Sequence, residues 1–283
     1  MKITVAEEPA FCFGVRRALR MVRKTLDLGR EVLSLGPLIH NPQVVGELEE
    51  LGLRVVSDVS EAASGTVVIR THGAPPDVLA EAQSKGLEVI DATCPFVKRA
   101  QRAAAEMQEQ GCTVIVLGER DHPETIAILA HTDGEALVAE SVADAKRALA
   151  ALDRRARQRL GLVAQTTQPA ERFAALAAAL LPLCDELRAA NTVCDSTERR
   201  QAAASALAQQ ADVMIVVGGL ESANTRRLAE ICRSHTPATH HIQTADEVQR
   251  EWLRGAEHVG VTGGASTPPE AIEAVRKRLE ELT

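Results

Sequence analysis

The chain has 283 residues and a formal net charge of −7, with 45% hydrophobic and 25% charged residues. This composition is typical of a soluble globular protein with one large domain or two to three small ones. Aromatic residues make up only 2% and tyrosine is absent, so the sequence disfavours nucleic acid as a partner. The N-terminus lacks an apolar signal segment, and no apolar run could span a bilayer. We therefore expect a cytoplasmic protein with no membrane contact.

Short apolar runs alternate with helix-forming stretches along the chain, which is the pattern of a parallel α/β protein. Seven runs predict strands, at 31–36, 65–70, 87–91, 113–118, 160–165, 212–218 and 258–263. Stretches rich in alanine, leucine, arginine and glutamate predict helices, among them 97–110, 169–189, 198–210 and 269–282. A weak similarity between DATCPF (91–96) and NTVCDS (191–196) hints at repeated small α/β units.

Three of the six cysteines stand in turn-like contexts, namely Cys12, Cys94 and Cys194. They are separated by about 80 to 100 residues, the size of a small α/β unit. Cys94 follows a strand-like run and a polar turn, and Pro95 after it suits the first turn of a helix, whose N–H groups favour a thiolate. The other three are predicted to be buried small hydrophobes, namely Cys112, Cys184 and Cys232.

The three cysteines in turns indicate metal chemistry, because nothing marks the chain as a secreted protein with disulfides. Three cysteines with no local fourth partner suit an iron–sulfur cluster held at three irons, with one iron open to a substrate oxygen. Zinc bound by three cysteines and a histidine is the alternative. The wide spacing of the cysteines leaves both open.

Polar side chains follow the predicted strands at their carboxyl ends, where ligands bind in open parallel sheets. These residues are His40, His72, His122, Glu124, Thr166, Ser222, Asn224 and Ser266. Taken singly, each is explained as a turn residue, a helix cap or a partner of the helix dipole. Taken together, they predict a site for a phosphate-bearing ligand recognised by neutral donors.

The ordered set of motifs resembles the 4-hydroxy-3-methylbut-2-enyl diphosphate reductase family of the non-mevalonate (MEP/DOXP) isoprenoid pathway. The motifs are FCFGVRRA with Cys12, GPLIHNPQVV with His40, THG with His72, DATCP with Cys94, HPE at 122–124, QTT at 165–167, NTVCDST with Cys194 and GVTGGAST at 260–267. They run from residue 11 to residue 267, so the resemblance covers essentially the whole chain.

The resemblance implies a trefoil of three small α/β domains with parallel sheets around a central [4Fe–4S] cluster. The domains would be 14–95, 96–193 and 194–283, with 1–13 as an N-terminal segment that carries the first cysteine. Cys12, Cys94 and Cys194 would bind the cluster and leave one iron open.

The resemblance also implies a reaction, the reductive dehydroxylation of the substrate to isopentenyl and dimethylallyl diphosphates. Electrons would come from a ferredoxin or flavodoxin-type donor. Glu124, Thr166 and His122 would be catalytic, with Glu124 relaying protons. Because a helix N-terminus lowers the pKa of a carboxyl group, burial and the bound diphosphate would have to raise that of Glu124. The substrate would be bound by His40, His72, His122, Thr166, Ser222, Asn224 and Ser266.

The sequence departs from the family pattern at Arg99, Gln101, Arg199 and Ala223, and it lacks a glycine-containing run after HPE. None of these departures touches a predicted cluster ligand or Glu124, so they bear on the substrate and not on the cluster. One alternative is a divergent paralogue, an iron–sulfur reductase or hydro-lyase that acts on another hydroxylated, phosphorylated substrate. A non-enzymatic alternative is an iron–sulfur or zinc sensor with a diphosphate pocket.

Overall fold

The computed structural model describes all 283 residues and contains twelve strands and ten helices. The strands are β1 (Lys2–Val5), β2 (Val32–Leu35), β3 (Leu53–Val56), β4 (Thr66–Ile69), β5 (Glu88–Asp91), β6 (Thr113–Leu117), β7 (Leu137–Ala139), β8 (Arg159–Ala164), β9 (Glu186–Ala189), β10 (Val213–Val217), β11 (Thr239–Ile242) and β12 (His258–Gly263). The helices are α1 (Phe13–Leu26), α2 (Pro42–Glu50), α3 (Pro76–Ser84), α4 (Pro95–Glu109), α5 (Pro123–Ala130), α6 (Val142–Ala150), α7 (Ala170–Leu180), α8 (Asp195–Ala208), α9 (Ala223–His235) and α10 (Pro269–Leu282).

The strands form three sheets of four, and all neighbouring strands run parallel. Sheet A has the order β1-β12-β10-β11, sheet B has the order β3-β2-β4-β5, and sheet C has the order β7-β6-β8-β9. The pairings are parallel throughout. The α/β class and the three parallel sheets confirm the fold class predicted from the sequence.

The three sheets share one topology, which the similarity between DATCPF and NTVCDS hinted at. In each sheet, one edge strand is followed along the chain by a predicted ligand cysteine and then by a long helix: β1 by α1, β5 by α4 and β9 by α8. Of these edge strands, β1 pairs with β12, β5 pairs with β4, and β9 pairs with β8. In sheets B and C this edge strand is the last strand in sequence, whereas in sheet A it is the first, so sheet A is a circular permutation of the other two.

The chain divides into two compact units. Unit 1 comprises Met1–Leu19, Ile39–Leu51 and Asp195–Thr283, and unit 2 comprises Arg20–Leu38 and Gly52–Cys194. Sheet A belongs to unit 1, and sheets B and C belong to unit 2. The domain boundaries implied by the resemblance stay a prediction.

Apolar side chains on both faces of the central strands bury each sheet under helices. In β6, Ile115 and Leu117 pack into one core, and Val114 and Val116 pack into the core on the opposite face. This alternation follows from the two-residue repeat of a strand. Strands that are covered on both faces are apolar throughout, which is why their sequences predict strands so clearly.

All seven predicted strands are present, but one helix prediction is wrong at its end. The helix predicted over 169–189 stops at Leu180, because Pro182 lies in a short 3₁₀ turn and 186–189 form the edge strand β9. Cys184 follows that turn and is only partly buried, unlike Cys112 and Cys232. None of the ten helices has both the length and the apolar composition needed to cross a bilayer.

Candidate functional site

Each of the three predicted ligand cysteines lies between an edge strand and a long helix. Cys12 immediately precedes α1, Cys94 precedes α4 and Cys194 precedes α8. The N–H group of each cysteine donates to a carbonyl just beyond the neighbouring strand, at 3.0 Å in all three cases: Cys12 to Ala265, Cys94 to Thr71, and Cys194 to Thr166. The same backbone bond therefore fixes each cysteine at the carboxyl end of its sheet.

The donor chemistry of these cysteines fits an iron–sulfur cluster. Cys12, Cys94 and Cys194 are all partly exposed, whereas Cys112 and Cys232 are buried in the core. Each of the three stands directly before a helix, at the carboxyl end of a sheet. Cysteine is the usual ligand of iron–sulfur clusters, so the chemistry of these three residues is compatible with a cluster held at three irons.

Glu124 is a buried carboxyl group at the start of α5, only 2% exposed. Thr166, just beyond β8, donates its N–H to Oε1 at 2.6 Å and its hydroxyl to Oε2 at 2.9 Å. Burial raises the pKa of Glu124 to about 7, although both hydrogen bonds from Thr166 lower it. Glu124 therefore holds a proton in a large fraction of molecules at neutral pH. Burial by itself therefore produces the raised pKa that the sequence analysis requires for Glu124.

This raised pKa makes the stability of the fold depend on pH. Between about pH 4.5 and pH 7 the folded chain keeps a proton on Glu124 that the unfolded chain releases, so the free energy of unfolding falls as pH rises through that window. We expect a loss of about 3 kcal/mol, which Glu124→Gln removes. Urea unfolding at both ends of the window measures it, with Glu109→Gln, an exposed carboxylate in α4, as the control. Parallel pH profiles for the parent and Glu124→Gln would contradict the prediction.

His122 is held by the helix that carries Glu124. It caps α5, because its Nδ1 accepts the N–H of Glu124 at 3.1 Å, so in the neutral ring the proton is assigned to Nε2. His72, just beyond β4, lies against it, with ring centroids 5.4 Å apart and ring planes at 85°. The structure thus brings His72, His122, Glu124 and Thr166 together within unit 2.

In unit 1 the loops after β2 and β12 are joined by hydrogen bonds. The Ser266 hydroxyl donates to the His40 carbonyl at 3.2 Å, and the Asn41 amide donates to the Ser266 carbonyl at 2.9 Å. Asn41 also caps α2 by accepting the N–H of Val44. The sequence analysis missed Asn41, although an asparagine directly before Pro42 is a recognisable helix start.

Asn224 is the polar residue of unit 1 that most clearly indicates a binding site for a ligand. It lies in the first turn of α9, which Ser222 caps, and it is only 5% exposed. Neither its side-chain nitrogen nor its side-chain oxygen has a hydrogen-bond partner. Leaving a buried amide unsatisfied costs about 1–3 kcal/mol, so this residue fits a polar ligand that completes its bonds.

Two of the residues that depart from the family pattern hold segments that precede a cysteine. Arg99 in α4 donates to the Val193 carbonyl at 3.1 Å, directly before Cys194. Arg199 in α8 pairs with Glu8 at 2.8 Å, in the segment before Cys12. Hydrogen bonding and the charge of Arg199 hold the pKa of Glu8 below its usual value. Neither residue was assigned a role in the sequence analysis.

The other two departures are buried. Gln101 in α4 lies beneath the loop that carries His72, where a side chain at Gly73 would collide with it. Gly73 has φ +81°, a left-handed conformation that glycine adopts readily. Ala223, the first residue of α9, is only 5% exposed.

The chain is similar to known proteins over nearly its whole length. The sequence model of the LytB protein family matches residues 3–280. The chain belongs to the LytB family. A curated relative from Trichlorobacter lovleyi, named 4-hydroxy-3-methylbut-2-enyl diphosphate reductase, is 45% identical over 100% of this chain and 99% of its own. A relative of the same name from Geobacter sulfurreducens is 44% identical over 100% and 98% of the two chains.

Solved structures are similar over nearly the whole chain. One, described as (E)-4-hydroxy-3-methyl-but-2-enyl diphosphate reductase, the terminal enzyme of the non-mevalonate pathway, is 41% identical, with a TM-score of 0.71 over 99% of this chain and 100% of the other. The E-1-hydroxy-2-methyl-but-2-enyl-4-diphosphate reductase of Plasmodium falciparum is 23% identical, with a TM-score of 0.89 over 98% and 87%. The second shows the shared LytB fold only.

Proposed function

We propose that this LytB family member reduces (E)-4-hydroxy-3-methylbut-2-enyl diphosphate to isopentenyl and dimethylallyl diphosphates, the last step of the non-mevalonate pathway. The reaction consumes two electrons and two protons, breaks the C–O bond and releases water. Full-length similarity to curated reductases supports the assignment. One observation carries it: Thr166 binds Glu124 through its N–H and hydroxyl, and its carbonyl binds the N–H of Cys194. A proton donor thus adjoins a predicted cluster ligand.

Cys12, Cys94 and Cys194 would hold a [4Fe–4S] cluster. Their equivalent positions and partial exposure fit that group. When bound, the cluster would supply the electrons, and its open iron the Lewis acidity, that the removal of a hydroxyl group needs. Zinc has no redox chemistry, so a reductive function favours the cluster over the zinc alternative.

Glu124 supplies the proton that lets the hydroxyl group leave as water. With a pKa of about 7, the carboxyl group is protonated often enough at neutral pH to act as an acid and ionises readily afterwards. The Thr166 N–H and hydroxyl each bind one oxygen of the carboxyl group, so Thr166 holds that group in one orientation. Burial excludes bulk water that would otherwise exchange this proton.

The diphosphate is assigned to the remaining polar residues at strand ends. The unsatisfied amide of Asn224 accounts for part of this binding, together with Ser222 and Ser266. The imidazole N–H groups of His72, His122 and His40 add donors that suit an anion. We assign electron supply to a ferredoxin or flavodoxin-type protein and place the reaction in the cytoplasm.

Anaerobic, viologen-driven turnover of the hydroxylated diphosphate tests the proposal. We expect turnover by the parent and by Cys184→Ser, which alters a partly exposed cysteine away from the strand-end loops, and none by Cys194→Ser, which should also lose iron. An iron-loaded parent that gives no product would refute the substrate. Product that forms without reductant would instead identify a hydro-lyase.

A further inference from the structure

Unit 2 contains a cavity of about 350 Å³ behind the loop that carries His72. Its apolar wall is formed by Leu35, Val59, Val78 and Ile126. Ile126 is 46% exposed, which is high for a large apolar side chain. The volume falls in the range of small-molecule pockets, and apolar walls with few polar groups are typical of them.

The basic group of this cavity is the guanidinium group of Arg70, just beyond β4. Arg70 is partly buried, and its guanidinium group makes no hydrogen bond or ion pair within the chain. It lies against the backbone of Gly36, where a Cβ atom would stand 2.7 Å from Nη1. Gly36 has φ +72°, so both its conformation and its missing side chain make room for the guanidinium group.

The acidic residues that line the cavity are already engaged. Asp58 accepts the N–H of Ser60 at 2.7 Å, and Glu81 pairs with Lys85 at 2.9 Å. Arg70 therefore keeps an uncompensated positive charge, and its partly buried guanidinium group is available to pair with an anionic ligand. The two carboxylates would repel a multiply charged ligand such as a diphosphate, so the balance of charge favours a single negative charge.

We propose that this cavity is a second ligand site, which binds a small carboxylic acid with a compact apolar body. The carboxylate pairs with the Arg70 guanidinium group, whose planar fork matches a carboxylate in two parallel hydrogen bonds. The apolar body lies against Val59, Val78 and Ile126. None of the residues that line the cavity is assigned to the proposed reductase chemistry, so this proposal does not depend on it.

Methyl NMR of isoleucine-labelled protein tests this site, with 3-phenylpropanoate as the probe. Its ring current should shift the Ile126 methyl signal saturably, with a dissociation constant in the millimolar range. The neutral analogue 3-phenylpropan-1-ol should bind at least about tenfold more weakly, a difference of about 1.4 kcal/mol. Arg70→Met should bind the acid about tenfold more weakly than the parent does. Arg102→Met, which alters an exposed arginine in α4, should bind the acid as tightly as the parent does.

Three results would overturn the proposal: no saturable shift of Ile126 up to about 10 mM acid, equal binding of acid and alcohol, or unchanged acid binding by Arg70→Met. The comparison of acid with alcohol uses the parent chain alone, so it decides the matter even if Arg70→Met does not fold. Asn224→Ala should bind the acid as the parent does. If Asn224→Ala alone abolishes the shift, the acid occupies the diphosphate residues and the cavity is not its site.

Discussion

Glu124→Gln is expected to lower kcat by about a hundredfold to ten-thousandfold while iron content stays at the parental level. The amide can still accept the Thr166 N–H and can donate to the Thr166 hydroxyl, so the geometry seen at 2.6 and 2.9 Å is preserved. What it cannot do is give up a proton to the leaving hydroxyl group. Single-turnover product formation by the reduced, iron-loaded variant measures the loss, and Glu109→Gln is the matched control.

The pH dependence separates a proton donor from a merely structural carboxyl group. Because the acid must be protonated, kcat should fall as pH rises through about 7, the pKa set by burial of Glu124. Thr166→Val removes the side-chain hydrogen bond that lowers this pKa, so the fall should move to higher pH. Thr166→Ser keeps the hydroxyl group and should keep the parental profile. Near-normal turnover by Glu124→Gln, or a profile indifferent to Thr166, would refute the role.

The strands predicted from the sequence and those missed differ in their place in the sheets. All central strands were predicted, because runs such as VMIVV in β10 are buried on both faces and apolar throughout. The five missed strands, β1, β3, β7, β9 and β11, all lie at sheet edges. Four of these strands carry polar residues, as in THHI of β11 and ELRA of β9, and such short mixed runs have no clear two-residue period. The fifth, β7, is apolar but only three residues long.

The sequence predicted which polar residues follow the strands, but not their pKa values or their unsatisfied hydrogen bonds. Polar residues just beyond strands could be recognised one by one, since a parallel sheet gathers them at one edge. The pKa of Glu124 depends on burial and on two bonds from Thr166, which lies 42 residues away in sequence. The unsatisfied amide of Asn224 and the uncompensated charge of Arg70 likewise exist only once the chain has folded.

Among the arginines, we expect substitution of Arg200 to lower the free energy of unfolding most, although nothing in the sequence singled this residue out. It lies in α8, 1% exposed, and its guanidinium group donates to the carbonyls of Glu8, Ala10 (2.8 Å) and Gly263 (3.0 Å). Glu8 has φ +50°, a left-handed conformation that a non-glycine residue keeps only when its surroundings impose it. Arg200 therefore fixes the segment that ends at Cys12.

Arg200→Met keeps a long apolar stem but leaves three carbonyl groups without their donor. We expect it to lower the free energy of unfolding by about 3 kcal/mol, because the bond to Gly263 is buried and the other two are partly buried, and a buried group left unsatisfied costs about 1–3 kcal/mol. Arg200→Lys should lose less, because an ammonium group can still reach some of these carbonyls. Urea unfolding of the iron-free chain measures both.

The neighbouring residue provides the control. Arg199 pairs with the Glu8 side chain, but that pair is exposed, at 61% and 42% of the two side chains, so Arg199→Met should cost no more than about 1 kcal/mol. If Arg200 also positions Cys12, Arg200→Met should release iron to a chelator faster than Arg199→Met at a urea concentration where both remain folded. Equal stability of the two variants would show that the carbonyl contacts of Arg200 do not hold the Cys12 segment.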